Sequence, residues 1–254
     1  MDAQLQEADK LQRAVARLVA ASPVGVRLLL IGGFRYRLLD DSQRFSVDID
    51  YHWDGDLDQK QDELQRFCQR VVLNEVKRSS GYEGSASKRT GPDAESQNAA
   101  FIDLRFWKPD RSIEIPIEIT RIICLDRPTI RTAHGMVYPT PSDADVIEGK
   151  VLAILNRVYL QHRDFIDLFL FANTVRSDSA DRIGRKISKL ALSLESIQKR
   201  LADLEHYSDY HAKAIEQVID TQVETTVAMQ LKAGGGGRTV LAESLKLLTG
   251  LCRS

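Results

Sequence analysis

Near residue 140 the apolar pattern of this chain passes from a mixture of strand and helix spacing to helix spacing alone. Before it, AAFIDLRFW (99–107) and SIEIPIEITRIIC (112–124) alternate apolar and polar residues, as strands with one buried face do, and KPDR between them supplies a hairpin turn. After it, apolar residues recur at helical spacing. VIEGKVLAILNR runs up to Arg157, and HRDFIDLFLFANTV (162–175) follows. Ile183, Ile187, Leu190, Leu194, Ile197, Leu201 and Leu204 then form one stripe over 180–205, before further helices over 207–231 and 238–249. The fold class is therefore α+β: an α+β domain over 1–140, then a helical domain over 141–254. Ser142 and Asp145 give the second domain an N-cap and a first-turn acid.

Within the first domain, residues 3–21 have helical spacing and Ser22-Pro23 ends the helix. VRLLLIGG (26–33) predicts a buried strand entering a tight turn, FRYRLLDD one or two helical turns, and FSVDIDYHW (45–53) the next strand. Residues 57–78 are an amphipathic helix, and the Gly- and Ser-rich stretch 79–98 predicts a loop.

Composition excludes more than it selects. With 43% hydrophobic and 28% charged residues among 254, the chain has the balance of a globular protein. Its net charge of −1 means that any nucleic-acid contact must come from a local patch. Lys77, Arg78, Lys88 and Arg89 are one such group, although they read first as a mobile charged loop. No apolar run nears the roughly 20 residues that span a bilayer. The acidic, polar start MDAQLQEADK is no secretory signal, and Cys68, Cys124 and Cys252 have neither disulfide nor zinc spacing. The expectation is a cytoplasmic protein without membrane contact.

The chemistry centres on RFSVDID (44–50). Asp48 and Asp50, two apart on a strand, would face the same side, where paired carboxylates need a cation. Gly32 and Gly33 upstream let backbone N–H groups approach a phosphate. Together these point to a phosphoryl-transfer centre, whereas D-x-D alone also fits a solvated strand edge. Arg35, Arg37 and Arg44 crowd the same turn, either to hold phosphate or RNA or to balance Asp40 and Asp41. GGGGRT (234–239) lacks the strand and the Gly-Lys-Ser/Thr ending of a phosphate loop and reads as a flexible linker.

IGGFRYRLLDDSQRFSVDID resembles the signature of the polymerase-β-like nucleotidyltransferases: a hydrophobic residue, Gly-Gly or Gly-Ser, a spacer, then D-x-D. It is most similar to the AbiEii/AbiGii toxin branch, whose motif runs G-G-T/S … R-x-S-x-D-I/L-D, with Arg44, Ser46, Asp48, Ile49 and Asp50 in those places. EGKVLAILNR (148–157) resembles that branch's K-x-x-A-L-x-x-R and HRDFIDLFLF (162–171) its R-D-x-x-D-L. Phe34 departs from the pattern, standing where the branch has a small hydroxyl residue.

The resemblance implies a small mixed sheet with flanking helices followed by a helical bundle. It implies Mg²⁺ or Mn²⁺ on Asp48 and Asp50, with an NTP triphosphate along Gly32, Gly33, Arg44 and Ser46. Lys150 would neutralise phosphate charge, while Asp164 or Asp167 would orient it or take the acceptor's proton. The reaction implied is transfer of an NMP to an RNA, a tRNA 3′ end, by a toxin of a toxin–antitoxin or abortive-infection system with an antitoxin encoded nearby. A small-molecule or protein hydroxyl is the alternative acceptor, and a non-catalytic binding module the alternative class. A third metal ligand would be Glu118, on the polar side of SIEIPIEIT, with Asp103 as its competitor.

Overall fold

The computed structural model describes residues 3–89 and 99–252. It divides into two compact units, Met1–Ile122 with Pro128–Pro141, and Ile123–Arg127 with Ser142–Ser254. The five residues Ile123–Arg127 thus belong with the helical unit although they precede Pro128–Pro141. Among the described residues no helix is long and apolar enough to cross a membrane.

The first unit is built on a five-stranded sheet of order β1-β2-β5-β4-β3. The strands are β1 (Leu29–Ile31), β2 (Ile49–His52), β3 (Glu83–Lys88), β4 (Ala99–Lys108) and β5 (Arg111–Thr120). All neighbours are antiparallel except β2 and β5, which run parallel. The alternation of SIEIPIEIT decides which face is buried: Ile113, Ile115, Ile117 and Ile119 lie in the core, and Glu114 is exposed. Pro116 is tolerated because β2 reaches only Ile117 and β5 has no neighbour on that side at Pro116. Helices α1 (Ala3–Ala20), α2 (Gly32–Leu39), α3 (Leu57–Phe67) and α4 (Leu73–Ser80) complete the unit. Asp56 caps α3 by accepting from the Gln59 N–H at 2.9 Å. A π-helical turn, Cys68–Val72, joins α3 to α4, and Gly81 ends α4 with φ 71°.

Several expectations are corrected here. The predicted loop 79–98 contains β3, an edge strand whose small residues pair with β4 and bury Ala86; residues 90–98 lie outside the described residues. Pairing overrides the low strand propensity of Ser and Gly. The strand expected at 26–33 shrinks to β1, because Gly32 and Gly33 open α2 and form no turn. A hairpin that no periodicity announced, β6 (Thr129–Ala133) and β7 (Met136–Thr140), turns through His134 and Gly135, both at positive φ. Lys77, Arg78, Lys88 and Arg89, read as a basic patch or a mobile loop, each pair with an acid: Glu83, Glu75, Asp62 and Asp103.

The second unit comprises α5 (Asp143–Asn156), α6 (Arg163–Leu170), α7 (Ser179–Lys189), α8 (Leu194–His206), α9 (Ser208–Gln222), α10 (Thr225–Ala233) and α11 (Gly236–Leu251). Ser142 caps α5 by accepting from the Asp145 N–H at 3.1 Å. The single stripe expected over 180–205 is two helices. The chain turns at Ala191 (φ 52°), Ser193 caps α8, and Leu194 is exposed. The glycine run is no flexible linker. Gly236 and Gly237 begin α11, and a Cβ on Gly237 would stand 2.1 Å from the carbonyl oxygen of Ala212 in α9. The Gly237 N–H also donates to Glu216 at 2.6 Å. Gly237→Ala therefore forces two backbones apart, and should lower stability by about 1–3 kcal/mol. A thermal melt would check this; an unchanged melting temperature would contradict it.

Candidate active site

Asp50 occupies a strand position on β2 and Asp48 does not. The strand begins at Ile49, so Asp48 lies in the bend before it, and the two carboxylates are placed by different devices. Sheet register places Asp50, between Ile31 of β1 and Glu118 of β5. Local hydrogen bonds place Asp48: Ser46 Oγ donates to Asp48 Oδ1 at 3.0 Å.

The two glycines are required by what packs on them. A Cβ on Gly32 (φ +74°) would stand 1.8 Å from Asp50 Oδ2; one on Gly33 would stand 2.1 Å from Arg44 Nη2 and 3.1 Å from Ser46 Oγ. The Gly-Gly pair, Arg44, Ser46 and Asp50 thus form one packed knot. Ile31, at the cap of α2, makes no side-chain capping bond, and the first N–H groups of a helix in that state suit a phosphate. Phe34 explains its own departure from the pattern, since it is wholly buried in the core of this unit.

The arginines are tied down. Arg44 is buried and donates to the Phe45 carbonyl at 2.8 Å, which places its charge beneath Gly33 and away from the surface. Arg35 pairs with Asp40. Arg37 pairs with Asp9 at 3.2 Å and donates to the Ser42 carbonyl at 2.6 Å.

A divalent ion fits part of this set. Asp50 and Glu118 are hard oxygen donors in register, and the space a Cβ on Gly32 would take is filled by the Asp50 carboxylate. Among the described residues, however, no group of three or more His, Cys, Asp or Glu side chains could hold a metal ion. An ion held on Asp48 and Asp50 would complete its shell with water and phosphate oxygens. Asp103 is committed elsewhere: it pairs with Arg89 through bonds of 2.5 and 3.1 Å and lies opposite Pro116, not Glu118.

In the second unit, Lys150 sits between two buried aspartates. Its Nζ lies 2.7 Å from Asp164 Oδ1 and 2.8 Å from Asp167 Oδ2. Asp164 Oδ2 accepts from Arg157 at 2.8 Å. Helical spacing brings this about, because Asp164 and Asp167 lie three apart on one face of α6.

Comparison with known proteins decides the family. The profile described as "Nucleotidyl transferase AbiEii toxin, Type IV TA system" matches residues 13–230. The chain belongs to the AbiEii nucleotidyltransferase toxin family. It is accordingly a nucleotidyltransferase, and the family's type IV toxin–antitoxin setting brings an antitoxin partner and a nucleotide substrate with it. Two solved structures share the fold, both from Helicobacter pylori. One is described as a candidate nucleotidyltransferase (17% identity, 98% of this chain and 96% of that chain covered, TM-score 0.55). The other is JHP933 (17% identity, 98% and 93% covered, TM-score 0.53). Among curated proteins none matches.

One charged cluster of this AbiEii chain escaped the sequence reading. Beside the helix that carries Lys150, Lys186 Nζ lies 2.7 Å from Asp145 Oδ1 and 2.8 Å from Glu148 Oε2, all three groups buried. Arg182 reaches Asp145, Glu148 and Asp126 at 2.6–2.9 Å. The Leu125 and Asp126 N–H groups donate to the Asp145 carboxylate, fixing the joining segment. Burial pushes the Asp145 carboxyl up, but the bonds from Lys186 and these N–H groups outweigh it and hold it below the usual range. The sequence does carry a signal for the cluster. Arg182 and Lys186 flank Ile183 and Ile187, on the face of α7 that is otherwise core.

Proposed function

We propose that this toxin transfers an NMP from an NTP to a hydroxyl at the 3′ end of a tRNA, using Mg²⁺, or Mn²⁺ in its place, held by Asp48 and Asp50. The observation that carries the reading is the packed knot of Gly32, Gly33, Ser46 and Asp50, which sets a carboxylate against the uncapped start of α2. Bound there, a divalent ion would neutralise phosphate charge and polarise the phosphoryl oxygens. The first N–H groups of α2 take phosphate oxygens, the Ser46 hydroxyl turns to them once an ion occupies Asp48, and Arg44 acts from below by holding Gly33. Lys150 supplies a point charge for phosphate. Asp164 and Asp167 both engage Lys150, which suits them to fixing the ammonium more than to taking a proton. Glu118 acts through Asp50, its neighbour in register. Expression would arrest growth, and the same arrest would limit phage spread in an abortive-infection setting.

The acceptor is tested by incubating the protein with total bacterial RNA, a metabolite extract and each α-labelled NTP in turn. A labelled band of tRNA size supports the reading. Label confined to small molecules or to protein would replace the tRNA acceptor.

A further inference from the structure

Gln12 is a buried amide in the middle of α1, 1% exposed, on a face otherwise made by Leu11, Val15, Ala16, Val19 and Asp9. Its Oε1 has no hydrogen-bond partner among the described residues. Such a buried acceptor is destabilising, and an apolar residue of the same length would avoid it. The amide is therefore explained by what its NH₂ group does. That group donates to the Ser46 carbonyl at 3.1 Å and reaches the Asp48 carbonyl at 3.5 Å. Both acceptors are carbonyls, so the nitrogen must face them.

Asp48 lies in the bend that leads into β2, and its carbonyl is one of the two groups that the Gln12 amide reaches. The same face of α1 also holds the end of α2. Asp9 accepts from Arg37 Nε at 3.2 Å, and Arg13 donates to the Arg37 carbonyl at 3.2 Å. Helix α1 is thus bonded both to the helix that Gly32 opens and to the bend that carries Asp48. The family match begins at Arg13, one residue later.

We infer that Gln12 is a positioning residue for the Asp48 carboxylate, acting through the main chain of residues 46–48. The inference rests on the proposed function only in taking Asp48 as a metal ligand. It is tested by Mn²⁺ binding to the full chain, read as free Mn²⁺ by electron paramagnetic resonance, with no turnover required. Gln12→Met keeps length and apolar packing but removes the donors. Val15→Ala, on the same buried face, controls for lost stability.

Gln12→Met should weaken Mn²⁺ binding about tenfold, within the range for groups that orient metal ligands. Val15→Ala should keep the parent affinity and Asp48→Ala should lose it. Parent-like affinity in Gln12→Met overturns the inference, as does an equal loss in Val15→Ala or retained binding in Asp48→Ala. A parent that binds no Mn²⁺ overturns both the inference and the metal reading. A parent that binds Mn²⁺ and shows the Gln12 effect, yet labels no RNA, upholds the inference and removes the RNA acceptor alone.

Discussion

Asp50→Asn should lower nucleotidyl transfer about 10³-fold or more while the protein stays folded. Asparagine keeps the volume that sits on Gly32 and the register between Ile31 and Glu118, while it removes the charge and turns one acceptor oxygen into an NH₂ donor. A loss of that size is roughly 4 kcal/mol of transition-state stabilisation, more than an exposed strand-edge acid could supply. Gly32→Ala should reach the same activity by another route, because its Cβ would displace the Asp50 carboxylate and its φ of +74° disfavours any side chain. That variant should lose stability as well. Single-turnover rates beside a thermal melt separate the two. Asp50→Asn with near-parent activity would return Asp50 to the role of a solvated edge residue.

Lys186→Met should be the most destabilising of the charge removals in the helical unit. It leaves Asp145 and Glu148 buried with Arg182 as their remaining cation, and breaking a buried pair in this way costs about 3–5 kcal/mol. At roughly 2–4 °C per kcal/mol for a chain of this size, the melting temperature should fall by about 6–20 °C. Adding Glu148→Gln should recover part of the loss. The cluster also sets an acid limit. The Asp145 carboxyl is held below its unfolded value of about 3.9, so the folded state binds fewer protons there. Its contribution is complete above that pH and is lost as pH falls from there through the lower folded value. Melts of parent and variant should therefore converge in acid; a difference unchanged by pH would contradict this.

The strands that carry the core could be read because alternation is local: the isoleucines of SIEIPIEIT declare their face without help from the rest of the chain. What could not be read depends on distant partners. β3 is a strand only because β4 lies beside it, and the glycines at 236 and 237 look like a linker until α9 is seen against them. The break at Ala191 was hidden because Leu190 and Leu194 continue the apolar spacing although both are exposed. The motifs marked Asp48 and Asp50 in the first unit and Lys150, Asp164 and Asp167 in the helical unit, where both aspartates lie within 2.8 Å of the Lys150 ammonium. The structure also shows that Asp48 and Asp50 are not strand neighbours and that Arg44 is buried. Gln12 left no trace in the sequence, because its partners are main-chain carbonyls, which any residues at 46 and 48 would offer.

The most direct test of the account is which phosphorus reaches the acceptor. The protein is incubated with bacterial RNA, Mg²⁺ and the preferred NTP, labelled in one reaction at the α-phosphate and in a second at the γ-phosphate. Nucleotidyl transfer predicts RNA labelled from the α position alone, pyrophosphate carrying the γ label, and neither with Asp50→Asn. RNA labelled from the γ position, or label from neither with the parent protein folded, would contradict it.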